Sequence, residues 1–192
     1  RQVHFPENPN LLKNALFRLK FEELFYIQLR ILSLKHHREG SFKGFVFSQV
    51  GYNLNTFFNN YLPLELTNAQ KRVIKEIRKD MGSGKQMNRL LQGDVGSGKT
   101  LVALMTALIA FDNGFQVSLM APTEILAIQH YNSIKKLTEG LGLNIALLTG
   151  STRVAKRRVI HEELENGSLQ LLIGTHALIE DKVNFKNLGL VI

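Results

Sequence analysis

Eight consecutive residues, Gly93-Asp94-Val95-Gly96-Ser97-Gly98-Lys99-Thr100, satisfy the spacing G-x-x-x-x-G-K-[ST]. Each residue type has a chemical use. Glycines let the backbone aim successive N–H groups inward, which makes a concave anion site at the start of a helix. Lys99 supplies a point charge to the β- and γ-phosphates of a nucleoside triphosphate, and the Thr100 hydroxyl is spaced to ligate the Mg²⁺ that bridges them. The expected cofactors are therefore ATP and Mg²⁺, with Lys99 and Thr100 as the catalytic pair. The spacing requires a strand before the loop, read at Leu90-Leu91, and a helix after it, read at 101–112. The motif does not choose the reaction, because kinases, GTPases and motor ATPases share it.

Three further turns carry small residues. Ala121-Pro122-Thr123-Glu124, Leu148-Thr149-Gly150-Ser151 and Ile173-Gly174-Thr175-His176 each follow a run that reads as a strand. Ligands bind α/β sheets at that strand edge, and helix starts there offer free N–H groups and a positive dipole. Three such turns could follow the phosphates of one nucleic-acid strand. Thr123 also suits a helix cap. Arg153, Lys156, Arg157 and Arg158 are either a phosphate patch or a solvated helix face.

The elements that must hold these residues are visible in the apolar periodicity. Leu12, Leu16, Leu19, Leu24, Ile27, Ile31 and Leu34 recur at helical steps and predict one long helix over about 10–37. Residues 40–61 lose the pattern and read as a connector with aromatic anchors. Thr67-Asn68-Ala69-Gln70 has the spacing of a capping box and predicts a helix ending near Met81. Beyond it, strands are expected at 116–121, 144–148, 169–173 and 188–192, with helices at 124–139 and 154–165 between them. With Leu90-Leu91 that makes five strands. The predicted fold is α/β, a parallel sheet of the P-loop NTPase type with helices on both faces, preceded by a mainly helical connector.

Composition narrows the classes. The 192 residues include no cysteine, which excludes disulfides, thiolate metal sites and thiol nucleophiles. No apolar run approaches the ~18 residues needed to span a bilayer. The chain carries 24 Lys and Arg against 16 Asp and Glu, a net charge of +8. Of these, 15 basic and 7 acidic residues lie in 1–92, so the whole surplus belongs to the first half. It suggests a polyanionic partner but does not mark the site.

Taken together, Gly-Asp-Val-Gly-Ser-Gly-Lys-Thr at 93–100, Ala-Pro-Thr-Glu-Ile-Leu-Ala at 121–127, Leu-Thr-Gly-Ser at 148–151 and Gly-Thr-His-Ala-Leu-Ile at 174–179 resemble the ordered motifs of superfamily 2 helicases. Within that superfamily the wording is most similar to the bacterial RecG family. The resemblance implies a RecA-like ATP-binding domain over 62–192. It also implies a connector over 1–61 from a DNA-binding wedge domain, which the long helix with Phe21-Glu22-Glu23-Leu24 resembles.

By the same resemblance, Gly93, Asp94, Val95, Gly96, Ser97, Gly98, Lys99 and Thr100 bind ATP, and Gln70 reads the adenine edge unless it only completes the capping box. Pro122, Thr123, Gly150, Thr175 and His176 become contacts to the DNA backbone, with a simple turn histidine as the alternative for His176. The implied activity is ATP-driven helicase or translocase action on branched DNA, by a monomeric motor in the bacterial cytoplasm at the nucleoid. The nearest alternatives are a translocase like the transcription-repair coupling factor and a non-catalytic P-loop module. In the family, the strand matching 188–192 runs into the Asp-Glu-x-His motif that holds Mg²⁺ and activates water. This chain stops before those residues, so turnover is expected of the whole protein and not of the chain alone.

Overall fold

The computed structural model describes residues 1–192 apart from the side chains of residues 38 and 39. The chain divides into two units, Arg1–Lys43 and Gly44–Ile192. The first is built on a single helix, α1 (Pro9–Ser41), four residues longer at its C-terminus than its periodicity predicts. The Asn8 side chain accepts from the Leu11 N–H at its start. Phe17, Phe21 and Phe25, spaced by four, stack along the helix with ring centroids 6.5 and 5.7 Å apart.

The second unit begins with the segment that showed no pattern. Residues 52–56 form a short helix, α2 (Tyr52–Thr56), which runs into one π-turn, Phe57–Tyr61. Aromatic burial holds this segment. Phe57 is fully buried, a contribution of about 2 kcal/mol for a side chain of that size. Phe45 and Phe47 pack on Phe115 with centroids 4.7 and 4.8 Å away. A carboxylate completes the attachment: Asp112 accepts from the backbone N–H groups of Gly51, Asn53 and Leu54 and from the Asn53 side-chain amide.

Next come α3 (Asn68–Met81), α4 (Lys99–Asp112), β1 (Gln116–Met120), α5 (Glu124–Leu137), β2 (Ile145–Leu148), α6 (Val154–Asn166), β3 (Leu171–Gly174) and β4 (Leu188–Val191). The four strands form one parallel sheet in the order β2-β3-β1-β4. The crossover from β1 to β2 runs one way along the sheet, and that from β2 to β3 runs back. Right-handed connections therefore put α5 and α6 on opposite faces. Side-chain alternation agrees. Leu171, Ile173, Val117 and Leu119 join the core formed with α3, α4 and α5, whereas Ala146, Leu148 and Leu172 join Ile160 and Leu164 of α6. β3, covered on both faces, is buried throughout.

One expected strand is absent. Leu90-Leu91 pairs with no strand, and Leu90 is 89% exposed. A short apolar run becomes a strand only where its backbone pairs with a neighbour, and this one lies along neither edge strand, β2 or β4, as a ladder partner. Side chains fix this segment instead: Arg89 bonds Asp80 and, at 3.0 Å, Glu76, both on α3.

Candidate functional site

The phosphate loop owes its shape to two glycines at left-handed φ, Gly96 at 78° and Gly98 at 79°, a region costly for other residues. A Cβ at Gly93 would lie 2.6 Å from Ser97 Oγ, so that hydroxyl would have to turn away. α3 and α5 begin with threonine caps at Thr67 and Thr123, but no side chain caps α4. Its first N–H groups are left to an outside acceptor. Lys99, the first residue of α4, turns its ammonium into the loop, where Nζ donates to the carbonyls of Gly93 and Asp94, each at 2.8 Å. Thr100 is half-buried behind it, while Asp94, Val95 and Ser97 are exposed. A cavity of about 480 Å³ opens beside Lys99 and Thr100 and reaches Met120 and Ile192 at the C-terminal ends of β1 and β4. The loop and the strand ends therefore share one edge of the sheet.

Gln70 meets the same loop from α3. Its Oε1 accepts from the Thr67 N–H at 2.9 Å, and its own N–H donates to Thr67 Oγ1 at 3.2 Å, a complete capping box. Its Nε2 donates to the Ser97 carbonyl at 2.9 Å. Sequence spacing finds the first role but not the second, which joins residues 27 positions apart.

The three small-residue turns lie at the C-terminal ends of β1, β2 and β3. Pro122 and Thr123 are exposed, and Thr123 Oγ1 accepts from the Leu126 N–H. Gly150 is exposed, with nothing within 4 Å of where a Cβ would stand. His176 is exposed and its imidazole makes no hydrogen bond among the described residues, unlike a turn histidine tied to a carbonyl. Thr175 differs from the other four, being only 5% exposed. Gly174 before it packs so closely that a Cβ would collide with the Leu148 carbonyl.

Of the four basic residues on α6 and its cap, Arg157 is tied into the fold and does not stand on a solvated face. Its guanidinium donates to Glu180 at 2.7 Å and to the Thr149 carbonyl at 3.1 Å. Arg158 pairs with Glu162 on the surface. Glu124, which the motif contains but to which sequence reading gives no role, accepts from the hydroxyls of Ser151 and Thr149. Those two bonds, Ser151's first, hold its carboxyl below the ordinary value of 4.5.

Comparison with known proteins agrees with this geometry. Residues 67–192 match the model of the DEAD/DEAH box helicase family. The whole chain is 49% identical over 191 residues to the ATP-dependent DNA helicase RecG of Synechocystis sp., covering 23% of that protein. It is 47% identical over 190 residues to that of Thermotoga maritima, covering 24%. A solved structure of RecG bound to a three-way DNA junction superposes with a TM-score of 0.88 at 46% identity, over 99% of this chain and 26% of that one. The chain thus spans about a quarter of the length of the relatives it matches. On the family match and the phosphate loop together, the chain belongs to the DEAD/DEAH box helicase family, and along its whole length it is similar to RecG.

Proposed function

We propose that this chain is the ATP-binding part of a RecG-type DNA helicase, a motor that acts on branched DNA such as stalled forks and Holliday junctions. The observation that carries the reading is the sharing of one sheet edge by an uncapped helix start bearing Lys99 and by the turns at Pro122, Gly150 and His176. An engine that converts nucleotide binding into movement along a strand needs its phosphate loop and its strand grips on one rigid sheet.

The residues present suit a nucleotide with Mg²⁺. Lys99 would exchange its two carbonyl partners for phosphate oxygens, which carry more charge. Among the described residues no three His, Asp or Glu side chains converge on a metal site. The ligand that this chain would offer Mg²⁺ is the Thr100 hydroxyl, beside the oxygens of the bound phosphates. When bound, the ion neutralises charge developing on the phosphates. Gln70 would recognise adenine through its side-chain amide. Pro122, Thr123, Gly150, Thr175 and His176 would meet the DNA backbone, Thr175 through its main chain because its side chain is buried. Residues 62–192 would form the ATP-binding domain and 1–61 the connector to a DNA-binding domain, in a monomeric motor working in the bacterial cytoplasm at the nucleoid. No helix among the described residues is long and apolar enough to cross a membrane.

The test is strand displacement by the full-length protein on forked DNA and on linear duplex of equal length. ATP-dependent unwinding of the fork in clear preference to the duplex supports the reading. Equal action on both, or action without ATP, contradicts it.

A further inference from the structure

Glu124 stands at the first position of α5, directly after Pro122 and Thr123. Its Oε1 accepts from Thr149 Oγ1 at 2.8 Å and from Ser151 Oγ, and both donors belong to the turn after β2. β1 and β2 are not neighbours, because β3 lies between them. One carboxylate therefore spans the ends of two strands about 10 Å apart, twice the usual strand spacing. The turn it reaches is closed on itself: the Thr149 N–H donates to Thr152 Oγ1 at 2.9 Å, and the Thr152 N–H donates to the Thr149 carbonyl at 3.1 Å. Arg157 continues the chain of contacts by joining that carbonyl to Glu180, beyond the third turn.

We propose that Glu124 is a positioning residue for the DNA strand, fixing the separation of the turns at Pro122-Thr123 and Thr149-Gly150-Ser151 so that both engage phosphates of one backbone. This rests on the reading of those turns as DNA contacts. A carboxylate beside a polyanion's path repels it unless its charge is otherwise committed. At Glu124 two hydroxyl donors converge on Oε1, and the N-terminus of α5 places positive potential under the charge. The bracket leaves the apex of the turn open at Gly150. Fixing the turns before binding removes an ordering cost that a loose pair would incur on each encounter.

The test uses the full-length protein, a fluorescent three-way DNA junction, and the variants Glu124→Ala, Glu124→Gln, Ser151→Ala and Gly150→Asp. Gly150→Asp has room for its side chain and sets a negative charge on the turn, so it reports whether the turn meets DNA at all. Glu124→Ala is expected to weaken junction binding about tenfold, and to raise by a similar factor the DNA concentration giving half-maximal ATPase, with the maximal rate changed less than twofold. Glu124→Gln, whose amide oxygen still accepts, recovers most of the loss. Ser151→Ala weakens binding by itself and adds nothing to Glu124→Ala, the non-additivity of residues that act as one bracket.

If Gly150→Asp weakens binding and Glu124→Ala does not, the positioning role is overturned while the turns stand as DNA contacts. If neither variant weakens binding, both readings fall. Tighter binding by Glu124→Ala overturns the proposal, since the charge would then only repel. Should Glu124→Ala not fold, Ser151→Ala carries the test, and an unchanged affinity there overturns the proposal.

Discussion

Gln70 Nε2 donates to the carbonyl of Ser97 at 2.9 Å, while Gln70 Oε1 accepts from the N–H of Thr67 at the same distance. One amide thus closes the start of α3 and holds the phosphate loop from outside. The amide keeps one further N–H and one further lone pair, so a base read by Gln70 and the loop it tethers draw on the same two atoms.

The two roles separate by substitution. Glu at this position keeps the capping box but turns a carboxylate oxygen toward the Ser97 carbonyl. Gln70→Ala is expected to cost about 1 kcal/mol of stability, the usual worth of a cap, and to weaken binding of a fluorescent adenine nucleotide. Gln70→Glu is expected to weaken nucleotide binding with a much smaller loss in thermal unfolding. Nucleotide binding by Gln70→Glu equal to the unmodified protein would show the tether to be incidental.

Glu124 predicts a pH dependence with a definite sign. Its folded-state carboxyl lies below 4.5 because the Ser151 and Thr149 hydroxyls bond the ionised form. The stabilisation is present above the unfolded value and is lost as pH falls through the lower, folded one. The stability difference between the unmodified protein and Glu124→Gln should be level near neutrality and shrink as pH falls below 4.5. Denaturant unfolding across that range measures it, and a difference that grew in acid would contradict the assignment.

Asp112 is the acceptor that fastens residues 51–54 to the end of α4. Asp112→Ala removes the acceptor for three backbone N–H groups at once, with an expected loss of about 2–3 kcal/mol in urea unfolding. Asp112→Asn, which keeps one acceptor oxygen, should lose about half as much. A change within measurement error would mean that the aromatic anchors alone hold the segment.

Backbone tracking also has a signature in salt. If the turns at Pro122 and Gly150 grip phosphates, junction binding by the full-length protein should weaken linearly on a log–log plot of affinity against salt. The slope grows by about 0.9 for each phosphate neutralised on a duplex and about 0.7 on a single strand. A salt-independent affinity would exclude phosphates as the main contact.

The parts of the site that could be read in the sequence are those whose chemistry is local. The glycines and Lys99 lie within eight residues, the Thr67–Gln70 capping box within four, and the turns follow strands marked by Val117, Leu147 and Ile173. Contacts across long separations left no such trace. Glu124 meets Thr149 and Ser151 at 25 and 27 residues' distance, and Arg157 meets Glu180 at 23. Asp112 reaches Gly51 across 61. Leu90-Leu91 departs from its expected strand for a related reason: two apolar residues beside a glycine turn resemble a strand, but pairing depends on a neighbour that local pattern does not reveal.

In the proposed function, the loop bearing Lys99 drives DNA-coupled work. The most direct test is junction-stimulated ATP hydrolysis by the full-length protein and by Lys99→Ala, measured side by side. Strong stimulation of the unmodified protein is expected, with at least a hundredfold loss, roughly 3 kcal/mol or more, in the variant. Stimulated hydrolysis that survives Lys99→Ala would contradict that role.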